Sequence, residues 1–441
     1  MFWFDFPAEI QSLLNYYWWQ INFLLLVNIV ILGYLSIKKP IYACGLTIIL
    51  LPTYLFRSRL AGLPFTYLEL CLLVTFGGWL MKKIVPVKKI YHLTPTTYHL
   101  KYFWPILIIL ISSTIAIFAS PDWRAAAGIW KAYFLEPILF FIVLKNCLKT
   151  EQDRDVILWA LGFSTLVISL LAINQKFTGF GIAQASWVPE SKRRVTAFFT
   201  SPNAVGLYLA PIVLICFGWL IEKIKNAKSQ IAAAARPIIL LSIIIVLALA
   251  AIIFTQSHGT LLGLAAGLAF FCFFAFSKKW TLAAGLLAII ITLAVPLTRE
   301  KIMPVVLLQD ASGQNRLMLW QMAGDYLLTS PKNFLLGGGF GGFAAVENRL
   351  RNPLKLEALL YPHHIFLNFW LEIGLLGLAG FIWLISKFFR DGFSAARAIR
   401  ESPQQLGLMA AMVCIIVHGL IDVPYFKNDL AVLFWTLLAL L

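Results

Sequence analysis

The chain alternates long apolar runs with short polar breaks. About 20 consecutive apolar residues in a helix cross the hydrocarbon layer of a bilayer. Runs of about that length fall at 14–37, 41–56, 66–85, 103–119, 125–147, 155–176, 203–224, 236–256, 258–277, 280–297 and 363–389, with two shorter ones at 405–422 and 428–441. The pattern predicts an all-α, polytopic membrane helical bundle of 12 or 13 spans, the number depending on whether the tail crosses once or twice. Two breaks are long, about 177–202 and 298–362, and the second is the one large hydrophilic stretch. Inside it, Ser312-Gly313-Gln314-Asn315 reads as a helix start. Leu317, Trp320 and Leu328 follow near helical spacing, and Thr329-Ser330-Pro331 is a strong stop. That stretch predicts a helix lying on the membrane surface. There is no internal repeat and no low-complexity linker, so 1–441 reads as a single transmembrane domain with the 298–362 loop inserted between spans.

Composition agrees with this pattern. Of 441 residues 60% are hydrophobic and only 13% charged, and mean hydropathy is +0.83. The charged share is about half that of soluble domains. An ordinary soluble enzyme, a disordered chain and a secreted disulfide scaffold are excluded. The 36 Lys and Arg exceed the 20 Asp and Glu, a net charge of +16, yet the excess does not point to nucleic acid. The basic residues sit in alternate loops: Lys38 and Lys39; Lys82, Lys83, Lys88, Lys89 and Lys101; Lys145, Lys149 and Arg154; Lys223, Lys225, Lys228 and Arg236; Lys278 and Lys279; Lys387, Arg390, Arg397 and Arg400. Such loops face the cytoplasm. The N-terminus, with Asp5 and Glu9 and no nearby base, then lies outside. It lacks the basic flank and cleavage site of a signal peptide, so the first helix is expected to stay. The six cysteines lie in or beside apolar runs and read as small hydrophobes.

Several local patterns bear on chemistry. Gly337-Gly338-Gly339-Phe340-Gly341-Gly342 satisfies G-x-G-x-x-G by letter, but no strand precedes it and no βαβ unit surrounds it, so a flexible turn is expected. Asp153-Arg154-Asp155 has the D-x-D spacing of metal-dependent sugar transferases, but it stands where a helix begins and reads as capping. On the outer face, Lys192, Arg193 and Arg194 form a cluster, Arg316 opens the surface helix, and Arg299, Lys301, Arg349, Arg351 and Lys355 are scattered. The cluster and Arg316 adjoin apolar segments and suit an anionic ligand, since a guanidinium fork matches phosphate oxygens. His363 and His364 stand where the large loop re-enters the membrane and are candidate proton acceptors. His258 sits at a span boundary, and His418 sits in a span near Asp422. His92 and His99 lie in a cytoplasmic loop. Lys131 and Glu136 share a span and read as a structural pair, and Glu372 lies in the span after His363. The outer acids Glu300, Asp310, Asp325, Glu347 and Glu357 are too spread to hold Mg²⁺ or Mn²⁺.

Taken in order, these segments resemble one family. Arg316 with Trp320, then Ser330-Pro331, Gly337 to Phe340, Pro362-His363-His364-Ile365-Phe366-Leu367, and Glu372-Ile373-Gly374-Leu375-Leu376-Gly377 resemble the O-antigen ligase and polymerase family of bacterial lipid-linked glycan transferases. Thr196 to Asn203 and the tail His418-Gly419-Leu420-Ile421-Asp422 are also similar to its segments. The resemblance spans about 190–430. It implies a GT-C-like inner-membrane enzyme, active on the periplasmic side, with no metal or other cofactor. Its donor would be a glycan on polyprenyl pyrophosphate and its acceptor lipid A–core or another glycan. By the same resemblance His363 is the base, and Arg316, with Arg194 and Arg193, holds the pyrophosphate. His258, His364, Glu372 and Asp422 support them.

Two positions depart from the family pattern: His364 replaces the usual Asn, and His258 replaces the arginine of a Ser-Arg-Gly segment. The chemistry suits the residues. Preorganised arginines neutralise a pyrophosphate leaving group, a base activates a sugar hydroxyl, and a one-step attack inverts the anomeric centre. Ligation to lipid A–core leads among the acceptors, with polymerisation and transfer to protein as alternatives. A small-anion transporter of the bicarbonate type is the rival from another class.

Overall fold

The structure is a computed structural model. It describes residues 3–4, 8–60, 63–84, 97–182, 184–227, 231–294, 300, 303–304, 307–346, 361–398 and 402–441. Lys88, Lys89, His92, Lys228, Arg299, Lys301, Glu347, Arg349, Arg351, Lys355, Glu357 and Arg400 lie outside the described residues.

A helix occupies every apolar run. In chain order these are α1 (Ala8–Tyr16), α2 (Trp18–Lys38), α3 (Pro40–Ile49), α4 (Tyr67–Ile84), α5 (Thr97–Ala119), α6 (Trp123–Trp130), α7 (Glu136–Cys147), α8 (Glu151–Thr178), α9 (Pro202–Asn226), α10 (Ile231–Thr255), α11 (His258–Ala275), α12 (Lys278–Ala294), α13 (Ala311–Leu328), α14 (Pro331–Leu336), α15 (Ile365–Ala398), α16 (Pro403–Gly419) and α17 (Asn428–Leu440). A π turn, Lys131–Leu135, joins α6 to α7. Among the described residues, 8 helices are long and apolar enough to span a membrane, while α3, α16 and α17 are shorter apolar helices. The chain is thus an all-α, multi-pass membrane protein. One feature the apolar pattern did not predict is a small antiparallel sheet. Its strands are β1 (Trp3–Phe4), β2 (Phe56–Leu60) and β3 (Leu63–Thr66), with Arg57 opposite Thr66.

The chain divides into two compact units. The first comprises Met1–Lys101, Lys131–Thr260 and Tyr425–Leu441. Its centre is α9, 83% of whose apolar window is buried, whereas α2 has only 11% buried and turns Phe23, Leu24, Val30 and Tyr34 outward, as a lipid-facing helix does. Polar pairs hold its helices: Ser164 with Tyr208 at 2.7 Å and Thr47 with Thr75 at 2.9 Å. The D-x-D motif does cap a helix. Asp153 closes a capping box with Thr150 at the start of α8, and Asp155 accepts a hydrogen bond from Lys223 at 3.0 Å. Lys131 forms the expected pair with Glu136 and gains a second acid. Its nearest partner is Glu69, which also accepts from Asn428 at 3.0 Å, and Glu136 lies 3.8 Å away. The π turn shifts Lys131 off the regular helical register and lets one ammonium serve two acids.

The second unit comprises Tyr102–Trp130 and Leu261–Pro424. Helix α13 ends where the sequence indicates, and Ser330 caps α14 after the stop; it begins at Ala311, just before the expected Ser312, with Asp310 accepting from Gly313 N as its cap. Its buried stripe is Leu319, Ala323 and Leu327, packed on Phe343 and Leu371. Leu317 and Leu328, read as part of the apolar face, are exposed instead. The helix therefore spends its apolar stripe on protein. Helix α15 carries the other correction. Gly374, at φ 76° and ψ 175°, breaks it inside its apolar run. A Cβ at Gly374 would approach the Leu335 carbonyl oxygen at 2.5 Å, so the end of α14 occupies the notch. The glycine-rich segment is buried against this break and is no loose turn. Gly338 N donates to Leu371 O at 2.8 Å, Phe340 N to the Ser120 hydroxyl at 2.7 Å, and Gly341 N to the Glu372 carboxylate at 3.2 Å.

Candidate active site

Within the second unit, three distant stretches of sequence converge on the turn that follows α16. That turn closes tightly, Leu420 N donating to Val417 O and Ile421 N to His418 O. It leads into Ile421 and Asp422, consecutive residues that each receive one of the converging side chains. Arg316, in the first turns of α13, donates from Nε to Ile421 O at 2.8 Å and from Nη1 to the Ser312 hydroxyl at 2.9 Å. His363 places Nδ1 3.3 Å from Asp422 Oδ1. The guanidinium and the imidazole are therefore anchored on adjacent residues, although Arg316 and Ile421 are 105 positions apart in the chain.

Asp422 lies beyond the end of α16 and is 7% exposed. Burial alone would raise its carboxyl. The hydrogen bond and charge of His363, the charge of His418 and the Val423 N–H outweigh that and hold it well below the ordinary carboxylate range. It is thus a fixed anion facing Nδ1. An anion there favours the tautomer with its proton on Nδ1 and leaves Nε2 as the acceptor. The His363 side chain remains 24% exposed. His418 is buried in the last turn of α16.

His364 does what an asparagine would do at its position. Its Nδ1 accepts Leu367 N–H at 3.3 Å and so caps the start of α15. Burial lowers its pKa from the ordinary 6.5, which keeps that nitrogen free to accept. Glu372, one turn further into α15, is buried and serves the glycine-rich turn through Gly341.

The remaining candidates belong to the first unit. Arg193 spends its donors on backbone, Nε to Val188 O at 2.8 Å and Nη1 to Lys176 O and Phe177 O at 2.9 and 3.1 Å, closing the C-terminus of α8. Arg194 donates from Nε to Thr255 O at 2.9 Å and stands over the Trp187 ring at 5.8 Å. Its Nη2 approaches Gln256 O at 3.5 Å, two residues before His258, which is exposed at the head of α11. The loop that carries both arginines hangs on Gln175. This buried side chain donates to Gly181 O and Ala197 O and accepts from Thr196 N and Ala197 N. No spacing or motif marked Gln175, because its role appears only once the loop has folded back. Among the described residues, no three His, Cys, Asp or Glu gather in a way that could hold a metal ion.

Helix α13, the turn into α15 and the turn after α16 together present Arg316, His363 and Asp422 in a multi-pass membrane protein. Residues 243–382 match the sequence model of a family described as O-Antigen ligase. Over that span the chain is similar to the O-antigen ligase and polymerase family, a similarity that points to a glycan-transferring enzyme. The matched span contains Arg316, Trp320, His363, His364 and Glu372, and leaves Arg193, Arg194 and Asp422 outside it. Comparison with curated proteins gave no match.

Proposed function

We propose that the protein transfers a glycan from polyprenyl pyrophosphate to an acceptor hydroxyl on the periplasmic face of the bacterial inner membrane. Lipid A–core is the leading acceptor. The observation that carries this reading is the shared anchor of Arg316 and His363 on Ile421 and Asp422. Asp422 holds the Nδ1–H of His363, so Nε2 takes the proton of the acceptor hydroxyl. The hydroxyl oxygen forms its bond to the anomeric carbon from the side opposite the leaving group. The bond from that carbon to the pyrophosphate oxygen breaks, and the electron pair leaves with polyprenyl pyrophosphate. Arg316 neutralises the charge that develops there. Back-side displacement inverts the anomeric centre.

Arg194 and Arg193 are proposed as anion ligands within the first unit. Support for Arg194 is local: it brings a guanidinium to the 255–258 turn, where the family pattern has an arginine and this chain has His258. The outward placement rests on the basic ends of alternate helices, such as Lys38 on α2, Lys82 and Lys83 on α4, and Lys145 on α7.

The experiment is a mass-spectrometric transfer assay. Purified protein in lipid is supplied with a polyprenyl-pyrophosphate oligosaccharide and, in turn, lipid A–core, a second lipid-linked oligosaccharide, and a protein acceptor. Product on lipid A–core supports ligation, product on the lipid-linked oligosaccharide means polymerisation, and no transfer to any acceptor overturns the proposal.

A further inference from the structure

His363 holds its backbone at φ 50°, a left-handed conformation that a residue with a side chain keeps only when its surroundings impose it. Trp320 holds the peptide that precedes His363. The Trp320 indole Nε1–H donates to the Pro362 carbonyl at 2.8 Å. That carbonyl shares one rigid peptide plane with the His363 nitrogen, so fixing the oxygen fixes the plane from which His363 departs. On the other side of His363, the His364 ring stands edge-on to the Trp320 ring, with centroids 5.4 Å apart at 88°. The same His364 caps α15 through Leu367 N. The Pro362–His363 peptide and the His364 ring thus both meet one indole. Trp320 also lies four residues after Arg316 on α13, so the two share one face of that helix.

We infer that Trp320 is a positioning residue: its indole N–H holds the strained Pro362–His363 turn so that His363 meets Asp422. This rests on the proposed role of His363 as base, and it adds a requirement on the helix that presents Arg316. The side chain touches neither donor nor acceptor in this role.

The test uses the full-length protein in lipid, with turnover measured against donor concentration. Trp320→Phe keeps an aromatic edge for His364 and removes the N–H. It should lower kcat about tenfold, the equivalent of about 1.4 kcal/mol, with donor KM within about twofold and Tm nearly unchanged. A residue acting through the His363–Asp422 contact loses its effect once that contact is gone. In an Asp422→Asn background, Trp320→Phe should therefore cost less than about twofold. Should Trp320→Phe fail to accumulate, benzothienylalanine at 320 keeps the bicyclic shape, replaces the N–H by sulfur, and should show the same loss. Wild-type kcat in either variant, a change in KM alone, or full additivity with Asp422→Asn overturns the inference. His363→Gln measured in parallel separates the two claims. If it is fully active, the base assignment fails. If it is inactive while Trp320→Phe is fully active, only the role of Trp320 fails.

Discussion

Ile421 and Asp422 each receive one of the two groups the proposed reaction needs, and the character of each contact sets what a substitution does. Arg316 uses two donors of a planar fork, one on a carbonyl and one on a hydroxyl. A lysine ammonium is a point charge that cannot hold both while facing a pyrophosphate. Arg316→Lys is expected to lower kcat/KM by about 10- to 100-fold, the range set by one or two charged hydrogen bonds. An unchanged kcat/KM would remove Arg316 from the site. His364 gives a pH-dependent term. Its cap needs an unprotonated Nδ1, and burial has lowered its pKa from 6.5. The unfolded chain therefore binds this proton more readily than the folded one. The contribution is complete above pH about 6.5 and is lost as pH falls below that toward the folded value. Lowering the pH from about 7 to 5 should depress Tm, and His364→Asn, a cap that does not titrate, should flatten that part of the curve. An identical slope in both proteins would show that His364 contributes nothing there.

At the scale of elements, apolar length carries much of the fold. Each run long enough to bury a helix holds one, because in lipid the backbone must satisfy its own hydrogen bonds. Local chemistry is equally legible: Asp153 caps and Ser330-Pro331 stops a helix. Features that depend on a second stretch of chain are not. The β2–β3 hairpin falls between two apolar runs and has no hydropathy signal of its own. The glycine-rich turn reads as loose by composition, yet it packs tightly because Gly374 opens a notch in α15 that only a folded α14 can fill. Lys131 reads as the partner of Glu136, and it is, at 3.8 Å, but its nearer partner Glu69 comes from another helix. Of the site itself, Arg316 and His363 are marked by motif, but the bond from Trp320 to Pro362 is visible only in three dimensions. Gly374→Ala tests the notch. A side chain at φ 76° facing the Leu335 carbonyl is strained, at a cost of about 1–3 kcal/mol. A clear fall in Tm is expected, and a Tm equal to wild type would mean that the break is not required.

For the whole molecule, the chain order of basic helix ends makes a topological claim. Lys279 at the start of α12 should face the cytoplasm and Lys332 in α14 the periplasm. In intact spheroplasts, a membrane-impermeant thiol reagent is expected to label Lys332→Cys and to spare Lys279→Cys until the membrane is opened. The reverse pattern would put the site on the wrong side for a periplasmic reaction. The claim on which the functional account turns is that His363 takes the acceptor proton beside an anchored Arg316. Single-turnover glycan transfer by purified His363→Gln in lipid, with donor and acceptor saturating, measures it most directly. A base is worth about 10²- to 10⁴-fold, so the rate should fall by at least about 100-fold while donor binding and Tm hold. Transfer at the wild-type rate would contradict the account.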